Sequence, residues 1–136
     1  MPLMKTYLID DDDLGIYLTE QLLRAEGFSN TICTFQSATE ALAVLMREKD
    51  AAAPTVVFLD LNMPLMNGWQ FLDALAPYRE ELRGHCHIYI LTSSLALADL
   101  ERSREYELVS GLIHKPIDRG EIRAIQSQLV NEAGQE

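Results

Sequence analysis

Residues 55–59 read TVVFL, an unbroken run of β-branched and apolar side chains that ends against Asp60. A strand with one wet face alternates apolar and polar residues, whereas a strand covered on both faces has no need to. The run is too short for a helix, so it reads as a strand buried between two layers. The chain must then supply helices for both faces of a sheet, and it does so in alternation. TYLI (6–9), TICTF (31–35), HIYIL (87–91) and SGLIH (110–114) are further strand candidates, and a helical pattern separates each strand from the next.

The first of these patterns is DLGIYLTEQLLRAEGF. Leu14, Leu18, Leu22 and Ala25 recur in it at helical spacing, with Ile16, Tyr17 and Leu23 widening the stripe and Gly27 as the stop. Ser37 followed by Glu40 is a capping-box signal for a helix over 38–49. Further helices are expected over about 68–77, 96–107 and 119–131, the last capped by Asp118, with NEAGQE as a frayed tail. The order βαβαβαβαβα with short connections predicts a parallel sheet with helices on both faces. A helical bundle is the alternative, and TVVFL and HIYIL are poor for it.

At 136 residues the chain fits one domain with a core that needs no disulfide or metal staple. Its apolar content of 48% is globular, and its formal net charge of −10 argues against binding nucleic-acid backbones or anionic membranes. A phosphorylated substrate is not excluded, because local charge decides that. No run approaches the roughly 18 apolar residues of a membrane span, and MPLMKTYLI is too soon interrupted for a signal peptide. The expectation is a cytoplasmic protein. Cys33 and Cys86, far apart and in no metal-like spacing, are expected to be free structural thiols.

In an open α/β sheet, ligands bind at the carboxyl ends of the strands, where the strand order reverses. Strand one ends in Asp10 and Asp11, strand three in Asp60, strand four in Thr92 with Ser93 and Ser94 behind it, and strand five in His114 and Lys115. Three carboxylates, a hydroxyl and an ammonium thus share one rim. Crowded carboxylates favour a raised pKa or a bound hard cation such as magnesium. A phosphoryl group needs its charge neutralised by metal, ammonium and hydroxyl, and an aspartate can itself be the nucleophile.

The run Asp10–Asp13 divides accordingly. Asp10 and Asp11 belong to the rim. Asp12 and Asp13 stand at a helix start, where free N–H groups and the dipole favour negative charge, and Asp13 is the expected cap, although the pattern does not fix the cap to one residue. Strand alternation turns His114 away from Lys115, towards packing. Asn67-Gly68 fits a turn that needs a left-handed residue, Trp69 is expected to pack against it, and Pro64 limits the loop over the acids.

LIDDDD, VVFLDLNMPLMNGWQFL, IYILTSS and HKP, in this order over nearly all of residues 5–131, resemble the receiver domain of two-component response regulators, in particular small stand-alone ones. The resemblance implies a flavodoxin-like (βα)5 fold, a three-layer sandwich with strand order 2-1-3-4-5, in a single domain over 1–136. It implies that Asp60 is the phosphoacceptor. Asp10 and Asp11 would hold magnesium (or manganese) together with Asp60 and the backbone carbonyl of Asn62, whose side chain would face the phosphoryl group. Thr92 would be the switch hydroxyl, Lys115 the phosphoryl-pairing lysine, and Pro116 the proline after a cis peptide. Ser94 and Asn62 would tune hydrolysis. The implied partners are a histidine kinase or a histidine phosphotransfer protein and a downstream protein, with the domain a monomer or weak homodimer.

Two features depart from the family pattern. The fifth strand carries Leu112 where receivers commonly place a Tyr or Phe, and LVSG (108–111) replaces the usual small-residue turn before that strand. Two other readings stand beside the phosphoacceptor. An aspartyl-phosphate phosphohydrolase would want a second aspartate where Asn62 stands. A phosphorylation-independent scaffold would not need the full set Asp10, Asp11, Asp60, Thr92 and Lys115.

Overall fold

The computed structural model describes residues 4–29, 31–94 and 96–134. In chain order the elements are β1 (Lys5–Ile9), α1 (Asp13–Ala25), β2 (Thr31–Phe35), α2 (Ala38–Glu48), β3 (Val56–Asp60) and α3 (Gly68–Leu75). A 3-10 turn at Ala76–Tyr78 leads into the one-turn α4 (Arg79–Leu82), and β4 (His87–Thr92), α5 (Leu97–Ser103), β5 (Val109–His114) and α6 (Arg119–Gly134) complete the fold. The strands form one parallel sheet in the order β2-β1-β3-β4-β5, as expected. α6 continues to Gly134, past the expected end at 131, and residues 135–136 of the expected frayed tail lie outside the described residues.

β3 is buried along its whole length, as its unbroken apolar run requires. Its side chains alternate between two cores. Val57 and Leu59 join Tyr7, Ile9, Ile88 and Ile90 under α2 and α3. Val56 and Phe58 join Leu8, Tyr89, Leu91 and Ile113 under α1 and α6. Each such aliphatic or aromatic side chain removed from water stabilises the fold by about 1.5–3 kcal/mol. Cys33 and Cys86 are free, and Cys86 is buried.

Helix termini follow local chemistry. Ser37 accepts from the Glu40 amide at 3.0 Å to start α2. Asn67 and Gln70 form a reciprocal capping box at the start of α3. Gly27, at φ 62°, closes α1, with Gly27 N donating to Arg24 O and Phe28 N to Leu23 O, the Schellman pairing.

Four expectations change. The buried face of α1 is Ile16 and Leu23, while Leu14, Tyr17 and Leu18 are 63%, 59% and 57% exposed. Apolar residues surround more than half of this helix, so periodicity could not choose between faces, and contact with Leu8 and Phe58 does. The cap of α1 is Asp12, whose Oδ1 accepts from Leu14 N at 3.2 Å, and Asp13 is the first helical residue. The helix expected over 96–107 stops at Ser103, and turns carry the chain to β5. His114 is exposed at the end of edge strand β5 and does not pack.

The LVSG segment holds a β-bulge. Val109 pairs with Ile88, but Gly111 pairs with Tyr89, so Ser110 is the extra residue. The insertion reverses alternation, so Val109 and Leu112, three apart, both face the core under α2 and α3.

Candidate functional site

Asp10, directly after β1, and Asp60, the last residue of β3, are each 4% exposed, whereas Asp11 is exposed. Hydrogen-bonded neighbours β1 and β3 bring them together, and carboxylate oxygens of Asp10, Asp11 and Asp60 lie within 4.8 Å of one another. β5 delivers Lys115 from the far side. Its Nζ lies 3.1 Å from Asp10 Oδ2 and 3.2 Å from Asp60 Oδ1. Its backbone N donates to Thr92 O at 2.8 Å, and the Lys115-Pro116 peptide is cis.

Backbone amides hold the acids in place. Asp12 N donates to Asp10 Oδ1 at 3.0 Å, and Asn62 N approaches Asp60 Oδ1 at 3.4 Å. Burial and the neighbouring Asp10 charge push the Asp60 carboxyl up from its usual 3.8 to about 6, against the pull of Lys115 and the Asn62 amide. Burial lowers the Lys115 ammonium, but the hydrogen bond to Asp10 and the charges of Asp60 and Asp10 outweigh it, and the net shift is upward.

This donor set fits a hard divalent cation. All three candidate side chains offer carboxylate oxygens, two of them are buried, and the raised Asp60, pushed up first by burial and then by the Asp10 charge, marks a carboxylate that a cation would stabilise. Lys115 offsets part of the charge of Asp10 and Asp60, and Asp11 is exposed to solvent.

Thr92, the last residue of β4, is 1% exposed, and its hydroxyl serves its own loop. Oγ1 donates to Ser94 O at 2.9 Å and accepts from Ser94 N at 3.1 Å. The structure therefore brings Asp10, Asp11 and Asp60 together and places Lys115 against Asp10 and Asp60, with Thr92 at the end of β4 and its hydroxyl engaged in its own loop. Asn62 contributes its amide to Asp60.

Two glycines matter more to the site than their sequence context suggests. A Cβ on Gly68 would lie 2.9 Å from Asp60 O, and Gly68 N donates to Leu61 O at 2.9 Å. α3 thus abuts the backbone of Asp60, so Gly68 is needed for close approach and not for a left-handed turn. The left-handed residue in this loop is Leu65, at φ 69° and 96% exposed. A Cβ on Gly15 would lie 3.1 Å from Asp12 Oδ2 and 3.4 Å from Asp10 Oδ2, so it would crowd the cap residue Asp12 more than Asp10 itself. A glycine within a helical period was the available signal, since it weakens a helix unless something must come near.

Comparison with known proteins bears on this geometry. A family model described as the response regulator receiver domain matches residues 7–126. No curated protein matches. A two-component response regulator from Cytophaga hutchinsonii superposes with a TM-score of 0.88 at 23% identity, covering 96% of this chain and 99% of that one. A response regulator receiver protein from Dyadobacter fermentans gives 0.82 at 24% identity, over 93% and 98% of the two chains. A CheY-like receiver domain protein from Methanospirillum hungatei gives 0.77 at 21% identity, over 99% and 100%. At such identities the structures speak for the fold alone, and the family model speaks for the sequence. The superpositions agree with the fold, and by the family model the chain belongs to the response regulator receiver domain family.

Proposed function

We propose that this domain accepts a phosphoryl group on Asp60 from a phosphohistidine of a histidine kinase or phosphotransfer protein, and thereby switches a protein-interaction surface. The observation that carries the reading is the position of Asp60, a buried carboxylate at a strand end with the buried Asp10 carboxylate within 4.8 Å and the Lys115 ammonium at 3.2 Å. The domain is its own catalyst of the transfer, and signalling is its task.

Asp60 supplies the nucleophilic oxygen. The incoming phosphorus takes an Asp60 oxygen as its bond to the imidazole nitrogen breaks, and a donor histidine protonated on its other ring nitrogen takes the bonding pair and leaves as neutral imidazole. Lys115 pairs with the negative charge that arrives, and Asn62 N steadies the Asp60 carboxylate. Asp10, Asp11 and Asp60, with the Asn62 carbonyl, would hold magnesium or manganese, which supplies charge neutralisation on the phosphoryl oxygens. Thr92 must then exchange its Ser94 partners for a phosphoryl oxygen. Asn62, standing where a hydrolase would want a general acid-base, favours a persistent acyl phosphate over turnover.

A protein donor must approach the rim, and the exposed side chains beside it suit one. Leu14, Tyr17 and Leu18 form an i, i+3, i+4 stripe on α1 starting four residues beyond Asp10. Among the described residues no helix is long and apolar enough to cross a membrane. A cytoplasmic, single-domain protein, monomeric or weakly dimeric, without affinity for nucleic acid, is consistent with the charge of −10.

The test is incubation with acetyl phosphate and magnesium, followed by mass measurement of the intact chain. The expected result is one stable added phosphoryl group, absent in Asp60→Asn. Rapid release of phosphate over many turnovers would point to a hydrolase. No labelling by any donor would point to a phosphorylation-independent scaffold.

A further inference from the structure

The segment that follows Thr92 is held at its far end by a side-chain cluster outside the acid site. Trp69, the second residue of α3, stacks on Tyr106 with ring centroids 5.8 Å apart and planes at 25°. The Arg102 guanidinium lies over the same indole at 4.6 Å. The Tyr106 hydroxyl donates to Asp73 Oδ1 at 2.7 Å. Burial and the Asp73 carboxylate raise the Tyr106 phenol, and Arg102 opposes them. Trp69 and Asp73 are one turn apart on α3, and Arg102 and Tyr106 lie four residues apart where α5 ends. The cluster therefore ties the end of α5 to α3.

Both ends of this tie reach the acid site. On one side, Gly68 immediately precedes Trp69 and presses against the backbone of Asp60. On the other, Thr92 stands five residues before Leu97, the first residue of α5, whose first turn has no side-chain cap. Two hydrogen bonds join the Thr92 hydroxyl to the backbone of Ser94, three residues before α5 begins. Leu112 packs on the core that includes Trp69, but it has no ring or hydroxyl with which to follow a movement of Thr92.

We propose that the Trp69–Arg102–Tyr106–Asp73 cluster is the latch of the switch in this protein, holding α5 in the unphosphorylated position. The inference rests on Asp60 being the phosphoacceptor. When Thr92 turns to the phosphoryl group, both bonds to Ser94 break and the loop follows the hydroxyl. For α5 to move with it, Arg102 must slide off the indole, together with Tyr106 in the turn that follows the helix. Latch and phosphoryl group thus favour opposite positions of one helix, so each weakens the other.

Trp69 is the single tryptophan of the chain, which makes the latch directly observable. The experiment titrates the full chain with beryllium fluoride in excess magnesium, as a phosphoryl mimic, and follows tryptophan emission and its quenching by iodide. Fluorine NMR reports bound mimic independently. In the unmodified protein, bound mimic should change the emission and increase quenching. Arg102→Ala should show increased quenching without mimic and a half-saturating concentration lower by about five-fold or more. Arg102→Lys should restore most of the difference, and Tyr106→Phe, which keeps the ring and loses the Asp73 bond, should shift the same way by less. Circular dichroism checks that each variant is folded. Bound mimic with unmoved tryptophan emission, or folded variants with unchanged half-saturation, overturns the latch while leaving the phosphoacceptor intact. Absence of bound mimic in the unmodified protein overturns both.

Discussion

Lys115 Nζ and Asp60 Oδ1 are 3.2 Å apart, yet the Asp60 carboxyl is still pushed up to about 6. The ammonium is shared with Asp10, so burial and the second carboxylate prevail. The consequence for stability has a definite sign. A carboxyl whose folded pKa exceeds its unfolded value binds more protons when folded, so its contribution is fully present below about 4 and is lost as pH rises through about 6. The metal-free domain should lose on the order of 3 kcal/mol across that window from this group. Asp60→Asn should abolish this loss, melting higher than the unmodified protein at pH 7.5 and close to it at pH 4. Melting curves in a chelator at the two pH values check it, and an equal difference at both would contradict the assignment.

Asp11 and Lys115 should move metal binding in opposite directions. Asp11 is exposed and offers a carboxylate oxygen to the proposed metal site. Asp11→Asn should therefore barely change the metal-free melting temperature, and should weaken the stabilisation by magnesium, with affinity falling about ten-fold, or about 1.4 kcal/mol. Lys115→Ala removes the cation that competes with magnesium for Asp10 and Asp60, so magnesium should bind more tightly. Phosphorylation by acetyl phosphate should nonetheless slow by about 100-fold, because no ammonium meets the phosphoryl charge. Magnesium titrations and intact-mass time courses on the two variants separate binding from chemistry. Magnesium without effect on melting of the unmodified protein would remove the metal site.

Gly68→Ala should damage the site through the backbone. Its methyl would lie 2.9 Å from Asp60 O and 3.0 Å from Leu61 Cα, so α3 or the end of β3 must shift. Such overpacking costs about 1–3 kcal/mol. Gly27→Ala is the informative contrast, since nothing lies within 4 Å of its Cβ and its cost arises only from φ 62°. Denaturant melts should show both variants destabilised, and phosphorylation should fall in Gly68→Ala alone.

The fold and the acids were legible in the sequence for the same reason. TVVFL could be satisfied only between two helical layers, and in such a sheet the residue after each strand must reach one rim. The features that were not legible depend on contacts between distant segments. In α1, apolar residues on most sides left the choice of face to Leu8 and Phe58. In β5 the bulge at Ser110 exists only relative to β4, and it decides where Leu112 points. The Trp69 cluster joins residues 33 and 37 positions apart, and no local pattern announces it.

The four consecutive aspartates yield the last prediction. Asp12 Oδ1 accepts from Leu14 N, and Asp12 O accepts from Ile16 N to open the helix. Asp13 is already helical and acts through the dipole alone. Asp12→Ala should therefore cost about 1 kcal/mol, the usual loss of an N-cap, and Asp13→Ala a few tenths, about 0.3–0.5 kcal/mol. Neither should abolish phosphorylation, because the bond that positions Asp10 comes from the Asp12 backbone amide, which both substitutions keep. Asp12→Pro removes that amide and should disturb Asp10 as well as the helix start. Urea melts with acetyl phosphate labelling distinguish the three, and equal stability losses for Asp12→Ala and Asp13→Ala would show that the cap is shared between them.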